Sequence, residues 1–289
     1  MFHRPRTATP ADIPSVVPLL DAAYGPNPTF EARFSTYLSL EAAGWVVVEE
    51  ASGLSGVGGF VSFGRCAYIG LMAVSPVAQR RGIGAAIFEE ILRRCEASGR
   101  TLLLLDASVP GAPLYERYSF RDHGVALSYT FEPRGTASPD DDSTVQVEPI
   151  DLRDETTQVE VEAFDARCYG ADRSLLVRRY LRDHSGRAFV VRDSSGAVAG
   201  YSIGQTRSFG PCMARSPTIA RALACRTLSL PYEGRATWLV AGQNRNAIAL
   251  VQALGGVQGR TWRHMRRGDD SQLASDWSQL FAKFSLAVG

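Results

Sequence analysis

The 289-residue chain is long enough for one large domain or two of ordinary size, and its 45% apolar and 21% charged residues are those of a folded globular protein. With 31 basic against 30 acidic residues the formal charge is +1, which excludes a global attraction to nucleic acid or to an acidic membrane surface. No apolar run approaches membrane-spanning length and no basic start precedes an apolar segment, so a cytoplasmic protein with neither nucleic-acid nor membrane partner is expected.

In chain order, Asp12 to Ala23 and Thr29 to Ala43 read as helices. Phe30, Phe34 and Tyr37 lie on the second, at the spacing of a core face rather than a substrate wall. A hairpin follows, Trp45 to Glu49 and Val57 to Phe63. Ala67 to Val74 has the composition of a buried strand. Beyond it Ile83, Ile87, Ile91 and Cys95, joined by Ala86, form the inward stripe of a helix that stops at Gly99. Glu89 and Glu90 precede Arg93 and Arg94 by four residues on its outer face, the favoured acid-then-base order. Thr101 to Asp106 is a further apolar strand, and Leu114-Tyr115-Glu116-Arg117-Tyr118-Ser119-Phe120 ends the first half.

Residues 133–144, polar, acidic and broken by prolines, read as a linker between domains at 1–132 and 145–289. The second half repeats the plan. Helices are expected at Asp151 to Cys168 and Ser174 to Asp183, then a hairpin at 189–192 and 198–203, a strand at 236–240, a short helix and a final strand or hairpin. The basic run Arg263-His264-Met265-Arg266-Arg267 reads as a solvated strand end. Cysteines 66, 95, 168, 212 and 225 form no Cys-x-x-Cys pair and fit reduced thiols, and histidines 3, 123, 184 and 264 are too dispersed for a metal site.

The stretch that carries chemistry is Gln79-Arg80-Arg81-Gly82-Ile83-Gly84-Ala85, between strand and helix. A helix start leaves backbone N–H groups unpaired and carries the positive end of the dipole, so glycines there let an anion approach closely. The loop lacks the Gly-Lys-Ser/Thr ending of a Walker loop. Ile87 stands where a dinucleotide fingerprint needs glycine or a close relative.

With Val74-Ser75-Pro76 before it, this loop resembles the Gln/Arg-x-x-Gly-x-Gly/Ala acetyl-CoA loop of the GNAT N-acetyltransferase superfamily. The resemblance covers nearly the whole chain. It implies an α/β protein (α+β in some schemes) of two tandem GNAT-like domains, each a mixed, mostly antiparallel sheet with splayed central strands flanked by helices. It further implies that acetyl-CoA is the donor, held by Gln79, Arg80, Arg81, Gly82, Ile83, Gly84 and Ala85, with the backbone of Leu71, Met72, Ala73 and Val74 along its pantetheine arm. One N–H of that strand would polarise the thioester carbonyl. Tyr115, in a segment similar to the family's Leu-Tyr-Glu-Lys-x-Gly-Phe, is the candidate general acid, and Tyr118 reads as packing. Ser119 stands where the family has glycine.

The usual strand-four carboxylate is missing, so the base is left among Glu49, Glu50, Asp106, Ser108 and a water chain. The second half has no Gly-x-Gly before its third helix. Pro211 and Pro217 each remove an N–H there, and Val251 aligns with Tyr115. The expectation is an active N-terminal and a degenerate C-terminal domain, in a monomer or homodimer that needs no metal. The activity expected is transfer of acetyl from acetyl-CoA to a small amine-bearing acceptor in a ternary complex. The alternative is a non-catalytic CoA-binding or interaction protein on the same fold.

Overall fold

The computed structural model describes residues 4–51, 53–132, 145–268 and 275–289; the expected linker at 133–144 lies outside them. Of the described residues, those up to Arg121, with 265–268 and Val288, form one compact unit; those from Asp122 to His264, with 275–287 and Gly289, form a second. Membership therefore does not follow chain order alone. Residues 122–132, expected in the first domain, belong to unit 2, and residues 265–268, expected in the second, belong to unit 1.

Unit 1 runs β1 (Arg6–Thr7), α1 (Ile13–Tyr24), α2 (Phe30–Leu40), β2 (Val46–Glu50), β3 (Gly53–Phe63), β4 (Cys66–Val74), α3 (Ile83–Ala97), β5 (Leu102–Ala107) and α4 (Ala112–Glu116). The strands pair in the order β1-β2-β3-β4-β5, antiparallel except for the parallel pair β4·β5. Helix α3 forms where its stripe predicts: Ile83, Ile87, Ile91 and Cys95 are all 0–1% exposed. It lies close on β3 because two glycines floor the contact. A Cβ on Gly56 would stand 2.6 Å from Ile87 Cδ1, and one on Gly58 2.9 Å from Ile87 Cγ2. Burial pushes the Cys95 thiol up to about 12, so it is a packing residue rather than a nucleophile. On the opposite side Trp45 is the anchor, edge-on to Phe34 at 5.4 Å and stacked on Tyr37 at 6.0 Å, with its indole N–H donating to the Tyr37 carbonyl. Phe34 and Tyr37 are fully buried and Phe30 nearly so, as core spacing implies.

Unit 2 holds β6 (Arg121–Phe131) from Asp122 on, then β7 (Glu148–Pro149), α5 (Glu155–Tyr169), α6 (Ser174–Asp183), β8 (Ala188–Arg192), β9 (Val198–Gly204), β10 (Ser208–Ala214), α7 (Pro217–Leu228), β11 (Ala236–Ala241), α8 (Arg245–Ala253), most of β12 (Val257–Arg267) and β13 (Leu280–Ala282). The order is β12-β6-β11-β10-β9-β8-β7, with β13 on β10; β10·β11 is parallel, and β6·β11, β9·β10, β8·β9, β7·β8 and β10·β13 are antiparallel. Its core centres on Trp238, whose ring lies 4.2 Å from Phe209 and 5.8 Å from Phe131. The unit also holds a fully buried ion pair, Arg173 to Asp165 at 2.7 Å, with the Tyr201 hydroxyl donating to Asp165 at 2.5 Å. A charge this deep is tolerated only when paired and hydrogen-bonded.

Two local readings change. The basic run 263–267 is not a solvated strand end, because His264 and Met265 are 2% and 0% exposed within β12, while Arg263 and Arg267 pair with Asp122 and Glu96. Pro211 lies inside β10 and not in a loop before the third helix, so only Pro217 removes an N–H at that helix start. Among the described residues no helix is long and apolar enough to cross a membrane, and no His/Cys/Asp/Glu group could hold a metal.

Candidate active site

The site is built by the parting of two strands. β4 and β5 are paired from Cys66↔Leu102 to Ile69↔Leu105, after which β4 continues from Gly70 to Val74 with β3 on its other side. Within that continuation the register against β3 shifts between Gly59↔Gly70 and Val57↔Ala73, so two residues of β4 oppose one of β3. The extra residue sits at Leu71, held at φ 50°, a left-handed conformation costly for a side chain with a Cβ. The bulge bends β4 where the expected strand-binding residues Leu71, Met72, Ala73 and Val74 lie.

From Val74 the chain passes through the turn Pro76–Ala78 to the glycine loop. Gln79 and Arg80 are exposed, and Arg80 and Gly82 take left-handed φ of 61° and 87°. Gly82 is the N-cap of α3 and offers no side-chain cap. The first intrahelical bond is from Ala86 N–H to the Gly82 carbonyl at 3.0 Å, so the N–H groups of Ile83, Gly84 and Ala85 are the ones a helix start leaves without an intrahelical acceptor. The two glycines serve different needs. Gly82 has open space where a Cβ would be, so its requirement is conformational. Gly84 has an ordinary helical φ, and a Cβ there would meet only Val74 Cγ2 at 3.5 Å and Leu114 Cδ2 at 3.8 Å, contacts the fold tolerates.

Arg81 has a partner that sequence reading did not supply: its guanidinium meets Glu50 at 2.7 and 3.2 Å, and Ser55 Oγ donates to the same carboxylate at 2.8 Å. The end of β2 thereby braces the loop. Glu49 is likewise engaged, by Arg6 at 2.9 Å. Of the four candidate bases these two are held in ion pairs. Ser108 is exposed beyond β5, and Asp106 lies one residue past the last β4·β5 pair, accepting from the Tyr68 hydroxyl at 2.7 Å.

Tyr115 projects from α4 into the aromatic cluster under α3, 5.0 Å from Phe88 and 6.3 Å from Phe120, and is 8% exposed. Burial raises its pKa well above the phenol value, so it stays protonated at neutral pH. A second phenol converges on it. Tyr24, at the end of α1, donates to the Met72 carbonyl at 2.5 Å. Its pKa is raised by burial of the hydroxyl end first and then by the proximity of Tyr115, although 40% of the residue faces solvent. No motif marks Tyr24 in the sequence, and only the fold brings α1 to β4. Tyr118, by contrast, donates to Glu89 at 2.6 Å and packs on Phe88, and burial with that hydrogen bond pushes it up to about 12. Ser119 adopts φ 67°, the left-handed turn a glycine would supply.

Comparison with known proteins places the chain in a family. Two family models, each described as an acetyltransferase (GNAT) domain, match residues 29–128 and 161–282, together well over half of the chain. The chain belongs to the GNAT acetyltransferase superfamily. This GNAT chain is 31% identical over 175 residues to the uncharacterized N-acetyltransferase YitH of Bacillus subtilis (strain 168), an alignment covering 58% of each. It thus spans 58% of the length of that curated relative. Its fold is similar to that of a candidate acetyltransferase from Pyrococcus horikoshii (TM-score 0.84, 23% identity, covering 99% of this chain and 95% of that one). It is also similar to a tandem GNAT protein from the clavulanic acid biosynthesis pathway (TM-score 0.63, 17% identity, covering 92% and 98%).

Proposed function

We propose that this GNAT protein is an acetyl-CoA-dependent N-acetyltransferase that acts through unit 1, with unit 2 supporting it without catalysis. The observation that carries the reading is the continuity of two features: an edge of β4 free of β5 beyond Ile69, leading directly into an uncapped helix start. One suits an extended amide-bearing arm, the other a pyrophosphate. The steric roles of the glycines support the fit, because Gly84 is not demanded by the protein's own packing. Gln79, Arg80 and the N–H groups from Gly82 to Ala85 would hold the anion, with Arg81 braced by Glu50.

The donor supplies a thioester-activated acetyl group; the chain supplies positioning and protons. Backbone N–H groups of Leu71 to Val74 would polarise the acyl carbonyl. An amine of pKa about 10.4 must lose a proton before attack. Asp106, at the strand fork with Tyr68, is the carboxylate best situated to take it, directly or through water. Tyr115 would return a proton to the departing thiolate. With its pKa raised above about 10, transfer to a thiolate of ordinary pKa about 8.5 is uphill by at least about 2 kcal/mol, so the step needs the sulfur desolvated as well, which the same burial provides.

Calorimetric titration with acetyl-CoA tests the donor, and a screen of amines for CoA release tests the reaction. Binding that Gly82→Glu abolishes, with CoA release on at least one amine, is expected. Absence of binding overturns the proposal, and binding without release on any amine identifies a CoA-binding module instead.

A further inference from the structure

The two units differ in what lies against the equivalent strand edge. In unit 2, β10 and β11 pair only at Ser208↔Thr237 and Phe209↔Trp238, and β10 then runs on to Ala214, as β4 runs on past β5. Against this continuation lies β13, antiparallel, with Cys212 opposite Ala282 and Met213 opposite Leu280. On its other side the Lys283 N–H donates to the Leu239 carbonyl of β11 at 2.9 Å. The segment 280–283 therefore lies between two parallel strands, its strand residues paired with β10 and Lys283 bonded to β11.

The insertion is read through its backbone. Trp238 Nε1 donates to the Phe281 carbonyl at 2.7 Å. Asn244 Nδ2 donates to the carbonyls of Ser278 and Leu280, both at 3.0 Å. Gln205 Nε2 donates to the Phe284 carbonyl at 2.9 Å. Three side chains from separate elements thus each address a main-chain carbonyl, the recognition an extended peptide requires. Apolar burial adds to it: residues 280–282 and Phe284 are 0–3% exposed, and the Phe284 ring lies 4.7 Å from Tyr180 and 4.8 Å from the Arg173 guanidinium.

We infer that the slot between β10 and β11 is a peptide-binding site whose ligand is the chain's own residues 280–284, and that this occupancy limits the protein to one acyl donor per chain. The second clause rests on the function proposed above; the first does not. The adjoining helix start agrees with it. Ser216 Oγ accepts from the Ile219 N–H at 3.3 Å, and Pro217 has no N–H to offer, so α7 satisfies itself where α3 does not.

Hydrogen exchange on the full-length protein separates the two clauses. Without ligand, amides of 280–284 and 212–214 are expected to exchange at least ~100-fold more slowly than the unstructured rate. Trp238→Phe, which removes one carbonyl contact, is expected to speed exchange at 280–284 by about tenfold while β8 is unchanged. Fast exchange at 280–284 in the native protein, or no selective effect of Trp238→Phe, overturns the peptide site. With saturating acetyl-CoA, 71–74 and 82–86 are expected to slow, 280–284 to stay constant, and calorimetry to give one equivalent per chain. Two equivalents, or lost protection at 280–284, overturns the exclusion. If acetyl-CoA does not bind at all, the functional proposal and the exclusion fail together, and the unliganded exchange still decides the peptide site.

Discussion

Helices α3 and α7 follow corresponding strands, β4 and β10, and begin in opposite ways. α3 starts from a left-handed glycine with no side-chain cap, after a loop in which Arg80 also takes a left-handed φ. α7 starts from an extended serine whose hydroxyl accepts the Ile219 N–H, with proline at the next position. By ordinary helix chemistry the second start is the better one, since a serine cap contributes about 1 kcal/mol and a glycine cap somewhat less. The strand edges repeat the contrast, with β10 covered by β13 and β4 leaving β5 at Ile69. Unit 1 forgoes local stabilisation at the two points where a donor would bind, while unit 2 takes it at both. On the function proposed above, the difference between a binding unit and a supporting one is a pattern of backbone groups satisfied or left over, apart from any catalytic side chain.

The comparison can be broken at several points. Tyr115→Phe keeps the ring packing and removes the proton, so turnover is expected to fall by at least ~100-fold with KM for acetyl-CoA unchanged; full turnover in steady-state assays would reduce Tyr115 to the packing role its counterpart Val251 has. Gly84→Ala adds a methyl group the fold accepts but which the proposed pyrophosphate site would not. Affinity for acetyl-CoA by calorimetry is expected to drop about tenfold while the unfolding free energy of unit 1 rises by roughly 0.5–1 kcal/mol. A variant that gains stability and keeps affinity would mean the anion does not lie against Gly84.

Ser216→Ala is expected to do the reverse. It should cost about 1 kcal/mol of unit 2 stability in denaturant unfolding and leave donor affinity and stoichiometry unchanged; any effect on donor binding would contradict the self-contained start of α7. The smallest effect is set by charge. On α3 the guanidinium of Arg93, and then that of Arg94, hold the Glu90 carboxyl down at about 2, whereas α7 carries no carboxylate. A depressed carboxylate stabilises the fold above its unfolded pKa of about 4.3, and that contribution is lost as pH falls towards 2. Acid melts should therefore show unit 1 weakening over this window and Glu90→Gln reducing the slope, modestly, because Arg93 is largely exposed.

Much of this was legible from residue order because it is local. The α3 stripe, the hairpins and the glycine at 82 are patterns within a few residues of themselves, and the left-handed φ at Gly82 is what a glycine in that loop suggests. What escaped was set by partners distant in sequence. Nothing near Arg81 points to Glu50, thirty-one residues earlier, and nothing near Tyr24 points to Met72. Leu71 and Ser119 hold conformations that glycine would advertise and they conceal. The membership of residues 122–132 and 265–268 was missed for the same reason, since strand pairing is chosen by the assembled sheet and not by chain order. Leu280-Phe281-Ala282 was assigned no element of its own from the sequence, and its place between two other strands needed the register.

The position of β13 also bears on biosynthesis. A ribosome delivers the chain from the N-terminus, and domains generally fold as units while synthesis proceeds. β10 and β11 emerge well before the segment that lies between them, so the cleft stays unfilled until residues 280–282 have been made. Nascent chains halted before Leu280 should accordingly lack a finished second unit.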